Sequence, residues 1–282
     1  MNNLAWIDGL YCNLEGATIS IEDRGYLLGD GVYEVIRVYN GKPFYLDAHL
    51  ERLKRSAEAI RMEVPYELSE IDSTVLELVE KSSCLEGYIY MQLTRGSAKR
   101  DHLFPADALP TLVMYIRDLE PIKTVEHITP VKTVTLPDER WLNCYIKSTN
   151  LLPNLLARQK AAESGAVEAL LYRQDEKVTE GTRSNIFAVI DGEVRTHPAN
   201  NLILPGITRD IVLGLLKDLS IPFSEKAFDL NELGTAEEAW VTSTTMEVNP
   251  IAAIDGVSLA SAPGPVCSRL MTAFRDIILN NS

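Results

Sequence analysis

Strand-like and helix-like patterns of hydrophobic residues alternate over the first 120 residues. β-Branched and aromatic side chains dominate residues 32–39, and the turn dipeptide Asn40-Gly41 follows them, which predicts a hairpin. After this hairpin, apolar residues recur at helical spacing at Leu50, Leu53, Ala57 and Ile60, which predicts a first helix. A second helix is expected at about 69–81, and strands are expected to begin near 88 and 111. This half of the chain therefore mixes strands and helices.

In the second half, hairpins again join most of the predicted strands. A strand is expected to end near Lys147, and a turn at Asp191-Gly192 joins two others. Helices are predicted at about 152–164, after Pro205-Gly206 and after Pro265. A doubly wound parallel sheet fits this order poorly, so we predict an α+β fold with mixed sheets and helices.

The length and the prolines indicate two domains. A chain of 282 residues exceeds the usual size of a single domain, and prolines punctuate residues 105–137. We therefore predict a smaller N-terminal α/β domain at 1–120, a connector at 121–134 and a larger C-terminal domain at 135–282.

The charge balance limits the partners of this chain. Forty acidic against 27 basic side chains leave a net charge of −13, which disfavours attraction to nucleic acid or to anionic lipid. No apolar run is long enough for a membrane span, and Asp8 interrupts the N-terminus before a signal-peptide core forms. The cysteines and histidines lack the spacing of metal ligands. We expect a cytoplasmic protein without a metal site.

Lys147 is the first candidate for chemistry. It follows the apolar residues CYI and precedes STN. A lysine beside a buried strand can lose its charge by desolvation and become a nucleophilic amine that forms a Schiff base. The alternative is a surface lysine whose stem lies along apolar side chains.

Two segments are candidates for binding an anion. In LPGITRD (204–210), Pro205-Gly206 leads into a helix whose free N–H groups suit a phosphate, although many such sequences are only helix starts. In TSTT (242–245), Ser243 and its neighbours crowd hydroxyl groups at the end of a predicted strand. Local bonds from these hydroxyls to the backbone are the alternative.

A basic loop stands out in this acidic chain. RGSAKRDH (95–102) contains Arg95, Lys99, Arg100 and His102. A guanidinium next but one to an imidazole suits recognition of a carboxylate, because arginine offers a planar fork of donors. A solvated loop without a binding role is the alternative.

Six blocks of residues together resemble a known family. The blocks are EDRGYLLGDGVYEVIRVYNG, LTRGSAKRDHLFP, RWLNCYIKSTNLL, VTEGTRSNIF, THPANNLILPGITRD and VTSTTMEVNP. They occur in the order expected of fold-type IV pyridoxal-phosphate (PLP) enzymes and most closely resemble D-amino-acid aminotransferases. The likeness covers nearly the whole chain and is weakest after about Ala252 and in the connector.

The resemblance implies a two-domain fold whose larger C-terminal domain binds PLP. Lys147 matches the lysine that holds PLP as a Schiff base, and Glu180 matches the carboxylate beside the pyridine nitrogen. Arg52 matches the phosphate-binding arginine, and Leu204 matches an aliphatic residue packed on the cofactor ring. The remaining cofactor contacts implied by the family are Ile207, Thr208, Ser243 and Thr244.

For the substrate, the resemblance implies a trap for the α-carboxylate made of Tyr33, Arg100 and His102. Arg100 and His102 would reach in from the neighbouring subunit, which implies a homodimer with a shared active site. The expected reaction is a ping-pong exchange of the amino group of a D-amino acid with a 2-oxo acid, 2-oxoglutarate or pyruvate. Lys147 would move the proton at the α-carbon.

Two arginines leave the choice of substrate open. Arg183 stands where related sequences carry a small hydroxyl residue, and Arg37 shares a strand face with Tyr33 by alternation. We hypothesise that Arg37 or Arg183 binds a second carboxylate of the substrate; the alternative for Arg37 is an ion pair with Glu34 or another acid.

Three other functions remain open at this point. A branched-chain L-amino-acid aminotransferase would use the same cofactor residues, and Arg37 resembles the arginine of its EGIR pattern. An aminodeoxychorismate lyase of the same fold would release pyruvate without a 2-oxo acid acceptor. The third is a catalytically silent binding dimer. Sequence patterns do not rank individual D-amino acids or 2-oxo acids as substrates.

Overall fold

The computed structural model describes residues 3–121 and 124–281, and the contacts among them form two compact units. The first unit contains residues 3–121 and Ile146–Asn150, and the second contains residues 124–145 and Leu151–Asn280. Residues 1, 2, 122, 123 and 282, which belong to the predicted domains and connector, lie outside the described residues. The predicted α+β class is confirmed, whereas the functional division into domains stays a prediction.

The first unit is a six-stranded antiparallel sheet with two long helices. The strand order is β2-β1-β6-β5-β3-β4. In chain order the elements are β1 (Leu4–Ile7), β2 (Leu10–Asn13), α1 (Arg24–Leu28), β3 (Gly31–Tyr39), β4 (Lys42–Pro43), α2 (Leu46–Ala59), α3 (Leu68–Ser82), β5 (Gly87–Thr94) and β6 (Thr111–Asp118).

Alternation along β3 separates a core face from a polar and aromatic face. Val32, Ile36 and Val38 are fully buried in the hydrophobic core that also contains the apolar sides of α2 and α3. Tyr33 and Arg37 lie on the opposite face because successive side chains of a strand alternate. The register therefore confirms that these two residues share one face.

The second unit is built on a nine-stranded mixed sheet. Its main order is β12-β11-β10-β13-β14-β7-β8-β9, with β15 paired to β14, and β7 runs parallel to both β8 and β14. In chain order the elements are β7 (Val131–Pro137), α4 (Leu152–Glu163), β8 (Glu168–Tyr172), β9 (Val178–Gly181), β10 (Asn185–Ile190), β11 (Glu193–Thr196), α5 (Ile207–Asp218), β12 (Phe223–Ser224), α6 (Leu230–Gly234), β13 (Glu238–Ser243), β14 (Glu247–Ile254), β15 (Val257–Ser258) and α7 (Pro265–Asn281).

Membrane-spanning helices and metal clusters are both absent from the part of the chain that the structure describes. None of their helices is both long and apolar enough to cross a membrane. They also hold no group of three or more His, Cys, Asp or Glu side chains arranged to bind a metal ion. The cysteines are free thiols.

Candidate active site

Lys147 lies on a short segment that pairs with β3. The Tyr33 N–H donates to the carbonyl of Lys147 at 2.9 Å, the Thr149 N–H donates to the carbonyl of Gly31 at 3.0 Å, and Ser148 bridges Val32. The segment makes only this isolated bridge and is not part of a regular strand, so the prediction of a strand ending near Lys147 was wrong. Only Ser148 forms a β-bridge, so the segment lacks the consecutive residue pairs that define a strand.

The amine of Lys147 is half-buried and faces an aromatic ring. Its Nζ lies 4.3 Å from the centroid of the Tyr33 ring, and its backbone N–H donates to the Ser56 hydroxyl at 3.2 Å. No carboxylate of the described residues lies within ion-pair distance of this Nζ. An amine without an acidic partner is open to reaction with an aldehyde once it loses its proton.

A buried ion pair connects α2 to the core face of β3. Arg52 donates from Nε and Nη2 to the two oxygens of Glu34 at 2.7 and 2.8 Å, and His49 Nδ1 lies 2.8 Å from the same carboxylate. Burial raises the pKa of Glu34, but the charges and hydrogen bonds of Arg52 and His49 hold it well below its ordinary value. Burial lowers the pKa of His49. Arg52, the predicted phosphate ligand, is thus held by a carboxylate within its own unit.

Tyr33 begins a stack of three tyrosines on the other face of the sheet. Its ring stacks on Tyr90 at 5.8 Å, and Tyr90 stacks on Tyr115 at 5.0 Å. Arg37, on the same face, donates from Nη2 to Glu86 at 2.9 Å and lies 4.9 Å over the Tyr39 ring. An ion pair with another acid was one of the two alternatives for Arg37, and the structure contains it.

Arg100 and His102 are exposed on a loop whose base is firmly anchored. Arg24 donates to the carbonyl of Asp101 at 2.8 Å, and Asp30 accepts hydrogen bonds from both Arg24 and Arg95. Arg95, grouped above with the basic loop, is buried. The base of the loop is therefore fixed by these contacts. Arg100 and His102 make no side-chain hydrogen bond or ion pair with the described residues.

Glu180 is a buried carboxylate of the second unit and lies on β9. It accepts from Arg140 Nη1 at 2.6 Å, from Asn185 Nδ2 at 2.8 Å and from the Leu204 N–H at 3.1 Å. Burial raises the pKa of Glu180 to about 7, against the opposing effect of Arg140. Leu204, predicted to pack on a cofactor ring, is thus also tied to Glu180 through its backbone.

The N-terminus of α5 has backbone donors that no side chain caps. Gly206 is the N-cap residue and makes no side-chain cap bond, and Ile207 and Thr208 open the helix and are buried. The Thr242 hydroxyl, directly opposite Asn185 in the β10–β13 pair, is buried without a partner among the described residues. A helix N-terminus with uncapped amides, close to a buried hydroxyl without a partner, is suited to an anion.

The other hydroxyl residues differ in what they do. The Ser243 hydroxyl accepts from the Met246 N–H at 3.1 Å, which is the local turn bond considered above as the alternative to ligand binding. Thr244 is half-buried in the same turn.

Arg183 is exposed at the turn between β9 and β10. The buried Glu168 carboxylate fixes this turn, because it accepts hydrogen bonds from the hydroxyls of Thr182 and Ser184. Arg183 itself makes no hydrogen bond or ion pair with the described residues. A rigid turn thus presents an arginine with a free guanidinium.

The residues that sequence reasoning missed are those that hold Glu180. Arg140 and Asn185 lie 40 residues before and 5 residues after it, and both contact it in the interior of the unit. Both occur inside blocks that carry the family resemblance, which is the only signal that pointed near them. No local spacing relates an arginine to a carboxylate on another element.

We expect Gly206→Ala to weaken anion binding at the α5 N-terminus. An added Cβ would lie 2.1 Å from Asn185 Oδ1, so the amide that also bonds Glu180 would have to move. Gly214→Ala is the matched control, since its Cβ meets nothing within 4 Å on the same helix and it should gain up to about 1 kcal/mol of stability. Equal affinity for PLP in the two variants, measured by fluorescence titration, would contradict this expectation.

Comparisons with known proteins agree on one family. The family model described as "Amino-transferase class IV" matches residues 31–254. A D-alanine aminotransferase of Staphylococcus epidermidis is 41% identical over 280 residues, 98% of each chain. A D-alanine aminotransferase of Bacillus licheniformis is 43% identical over 265 residues, 94% of this chain and 93% of that protein.

Solved structures give the same picture at lower identity. A branched-chain aminotransferase from Thermoproteus uzoniensis with norvaline has a TM-score of 0.89 and 29% identity, covering 99% of this chain and 95% of that one. A branched-chain amino acid aminotransferase from Thermobaculum terrenum in its PLP-form has a TM-score of 0.88 and 27% identity, covering 100% of this chain and 95% of that one.

Proposed function

Because this chain belongs to the class IV aminotransferases, we propose that it is a PLP-dependent transaminase that exchanges the amino group of a D-amino acid with a 2-oxo acid, 2-oxoglutarate or pyruvate. The observation that carries the cofactor assignment is the half-buried amine of Lys147, fixed beside β3 without an acidic partner among the described residues. The preference for D-amino acids rests on the likeness to D-alanine aminotransferases over 98% of the chain.

The chemical groups of these residues are of the types that PLP requires. We assign the Lys147 amine to the aldehyde, the Glu180 carboxylate to the pyridine nitrogen and the side chain of Leu204 to the ring face. To the phosphate we assign the Arg52 guanidinium, the backbone of Ile207 and Thr208, and the hydroxyls of Thr208, Ser243 and Thr244. Bound PLP supplies an aldehyde for the amino group and a ring that withdraws electrons from the substrate α-carbon.

The chain's own residues then have distinct tasks. Lys147 Nζ would take the proton from the substrate α-carbon as a general base and deliver it, as a general acid, to the carbon that was the cofactor aldehyde. With PLP bound, Glu180 would accept a charge-assisted hydrogen bond from the ring nitrogen and keep that nitrogen protonated. Because Glu180 is buried among fixed donors, water does not compete for this contact.

We assign the substrate α-carboxylate to Tyr33, Arg100 and His102. Arg100 and His102 are exposed and make no side-chain hydrogen bond or ion pair with the described residues of their own chain, which supports a role in the site of a neighbouring subunit in a homodimer. The net charge of −13 supports the lack of nucleic-acid and membrane partners, and a cytoplasmic location is part of the same proposal. The predicted connector and PLP-binding domain belong to the same proposal.

The deciding experiment compares amino donors on the PLP-loaded chain. We expect D-alanine with 2-oxoglutarate to yield pyruvate and D-glutamate, identified by chiral analysis. A preference for L-leucine would support the second candidate, a branched-chain L-amino-acid aminotransferase, which the structural neighbours favour. Pyruvate formed from aminodeoxychorismate without an acceptor would indicate the lyase.

Arg37→Ala and Arg183→Ala test whether either arginine binds a second carboxylate. We expect at least one of them to raise the KM for 2-oxoglutarate about tenfold while leaving that for pyruvate unchanged, because a charged hydrogen bond contributes about 1.5–3 kcal/mol. Arg183→Ala is the more direct test, because Arg37 already pairs with Glu86. Unchanged KM values for both acceptors in both variants would refute the hypothesis.

A further inference from the structure

Arg140, in the loop after β7, makes ion pairs with two buried carboxylates, Asp138 of the same loop and Glu180 of β9. It donates from Nε and Nη2 to the two oxygens of Asp138 at 2.9 and 2.8 Å, and from Nη1 to Glu180 at 2.6 Å. Its side chain is only 8% exposed. A planar guanidinium engaged on two edges has a single orientation. Asp138 therefore fixes Arg140, and Arg140 fixes Glu180.

Asp138 is itself held from two further directions. It accepts from the Thr179 hydroxyl at 2.9 Å and lies 3.2 Å from Arg173 Nε. Arg173 also donates to the carbonyls of Asp138, Arg140 and Trp141, which ties down the loop. The two carboxylates and two guanidinium groups cancel in charge, so the cluster is buried without a net charge.

We propose that Arg140 is a positioning residue for the cofactor ring: it holds the Glu180 carboxylate in one orientation and favours its ionised form, ready to accept the N–H of a protonated pyridine. This inference rests on the proposed function, which assigns Glu180 to the ring nitrogen. Arg140 acts only through Glu180.

The charges around Glu180 explain why an arginine is needed. Burial raises the pKa of Glu180, and the negative Asp138 raises it further, while Arg140 is the basic side chain that opposes both. Arg173 and the thiol of Cys144 complete the titratable groups of this cluster. Removing Arg140 would raise the pKa of Glu180 further and favour the neutral carboxyl, which is a poor partner for a pyridinium.

The test measures PLP affinity and pH dependence in Arg140→Met, Glu180→Gln and the double variant. We expect Arg140→Met to bind PLP at least about tenfold more weakly at pH 7 and to regain affinity as the pH rises. Quenching of tryptophan fluorescence measures the binding. The acid limb of its kcat profile should move up by about 1–3 pH units. The sign follows because the ionised carboxylate is the active form and losing Arg140 raises its pKa.

A double-mutant cycle separates this role from general destabilisation. In the Glu180→Gln background, Arg140→Met should weaken PLP binding by less than about twofold, because its effect passes through the carboxylate. Arg195→Met is the matched control: Arg195 pairs with Glu193 and Glu232 in the same unit but does not contact Glu180, and the variant should behave as the wild type. Circular dichroism verifies folding.

Arg140→Lys provides the same test if Arg140→Met does not fold. Lysine keeps the positive charge but cannot make the two parallel hydrogen bonds to Asp138. We therefore expect kcat to fall at constant KM, and the acid limb of the pH profile to shift less than in Arg140→Met. Wild-type affinity and pH profile in the Arg140 variants, or equal losses in both backgrounds, would refute the inference alone. A wild-type chain that binds no PLP would refute the proposed function, and this inference with it.

Discussion

Lys147→Ala is expected to lower kcat by about 10⁴-fold while leaving the fold intact. Proton transfer by a positioned side chain contributes up to about this factor, and Lys147 is the basic residue that we assign to the α-carbon. The variant should fold because its Nζ makes no ion pair with the described residues, and the segment is held to β3 by backbone hydrogen bonds. Steady-state kinetics with D-alanine and 2-oxoglutarate measure the effect.

Lys160→Ala is the control for this prediction. Lys160 is an exposed lysine in the last turn of α4, so its removal should change neither kcat nor the circular dichroism spectrum. If Lys147→Ala retained more than about a tenth of wild-type kcat, another group would have to move the proton and the assignment would fall.

Glu34→Gln is expected to destabilise the first unit by about 3–5 kcal/mol, because it leaves the buried Arg52 charge without its carboxylate. Glu34 is fully buried, and both of its oxygens accept from Arg52. The loss should appear in urea unfolding of the chain without cofactor. PLP affinity should fall as well, since Arg52 is the proposed phosphate ligand and would lose its fixed orientation.

The stabilisation that Glu34 provides should depend on pH in a defined direction. The pKa of Glu34 is lowered on folding, so its stabilising effect is complete above its unfolded pKa of about 4.3 and is lost as the pH falls through its lower folded pKa. The difference between wild type and Glu34→Gln should therefore shrink in strong acid. Glu77→Gln, which removes an exposed partner of Lys81, is the control and should leave the urea midpoint nearly unchanged. Equal midpoints for Glu34→Gln and Glu77→Gln would contradict the account.

Local patterns predicted the regular elements of this fold well. The helical spacing of apolar residues from Leu50 to Ile60 corresponds to α2, and that in 69–81 corresponds to α3. The dipeptide Pro205-Gly206 does precede α5. These signals succeed because helix spacing and turn chemistry depend on neighbouring residues. The family also followed from sequence blocks, and the family model confirms it.

Contacts distant in sequence were not predictable in the same way. From the sequence, Arg95 was interpreted as part of a basic loop. In the structure it is buried and forms an ion pair with Asp30, which lies 65 residues earlier in the chain. The segment of Lys147 reads as a strand, yet it only bridges β3. In both cases the partner that decides the outcome is brought close by the fold, and no spacing in the sequence reports it.

The roles assigned to individual site residues therefore stay predictions, and the one at Lys147 is central. Borohydride reduction of the PLP-loaded chain followed by peptide mapping tests it most directly. We predict a pyridoxyl group on the Lys147 side chain and on no other lysine. Label on a different lysine, or no label after PLP uptake, would contradict the account.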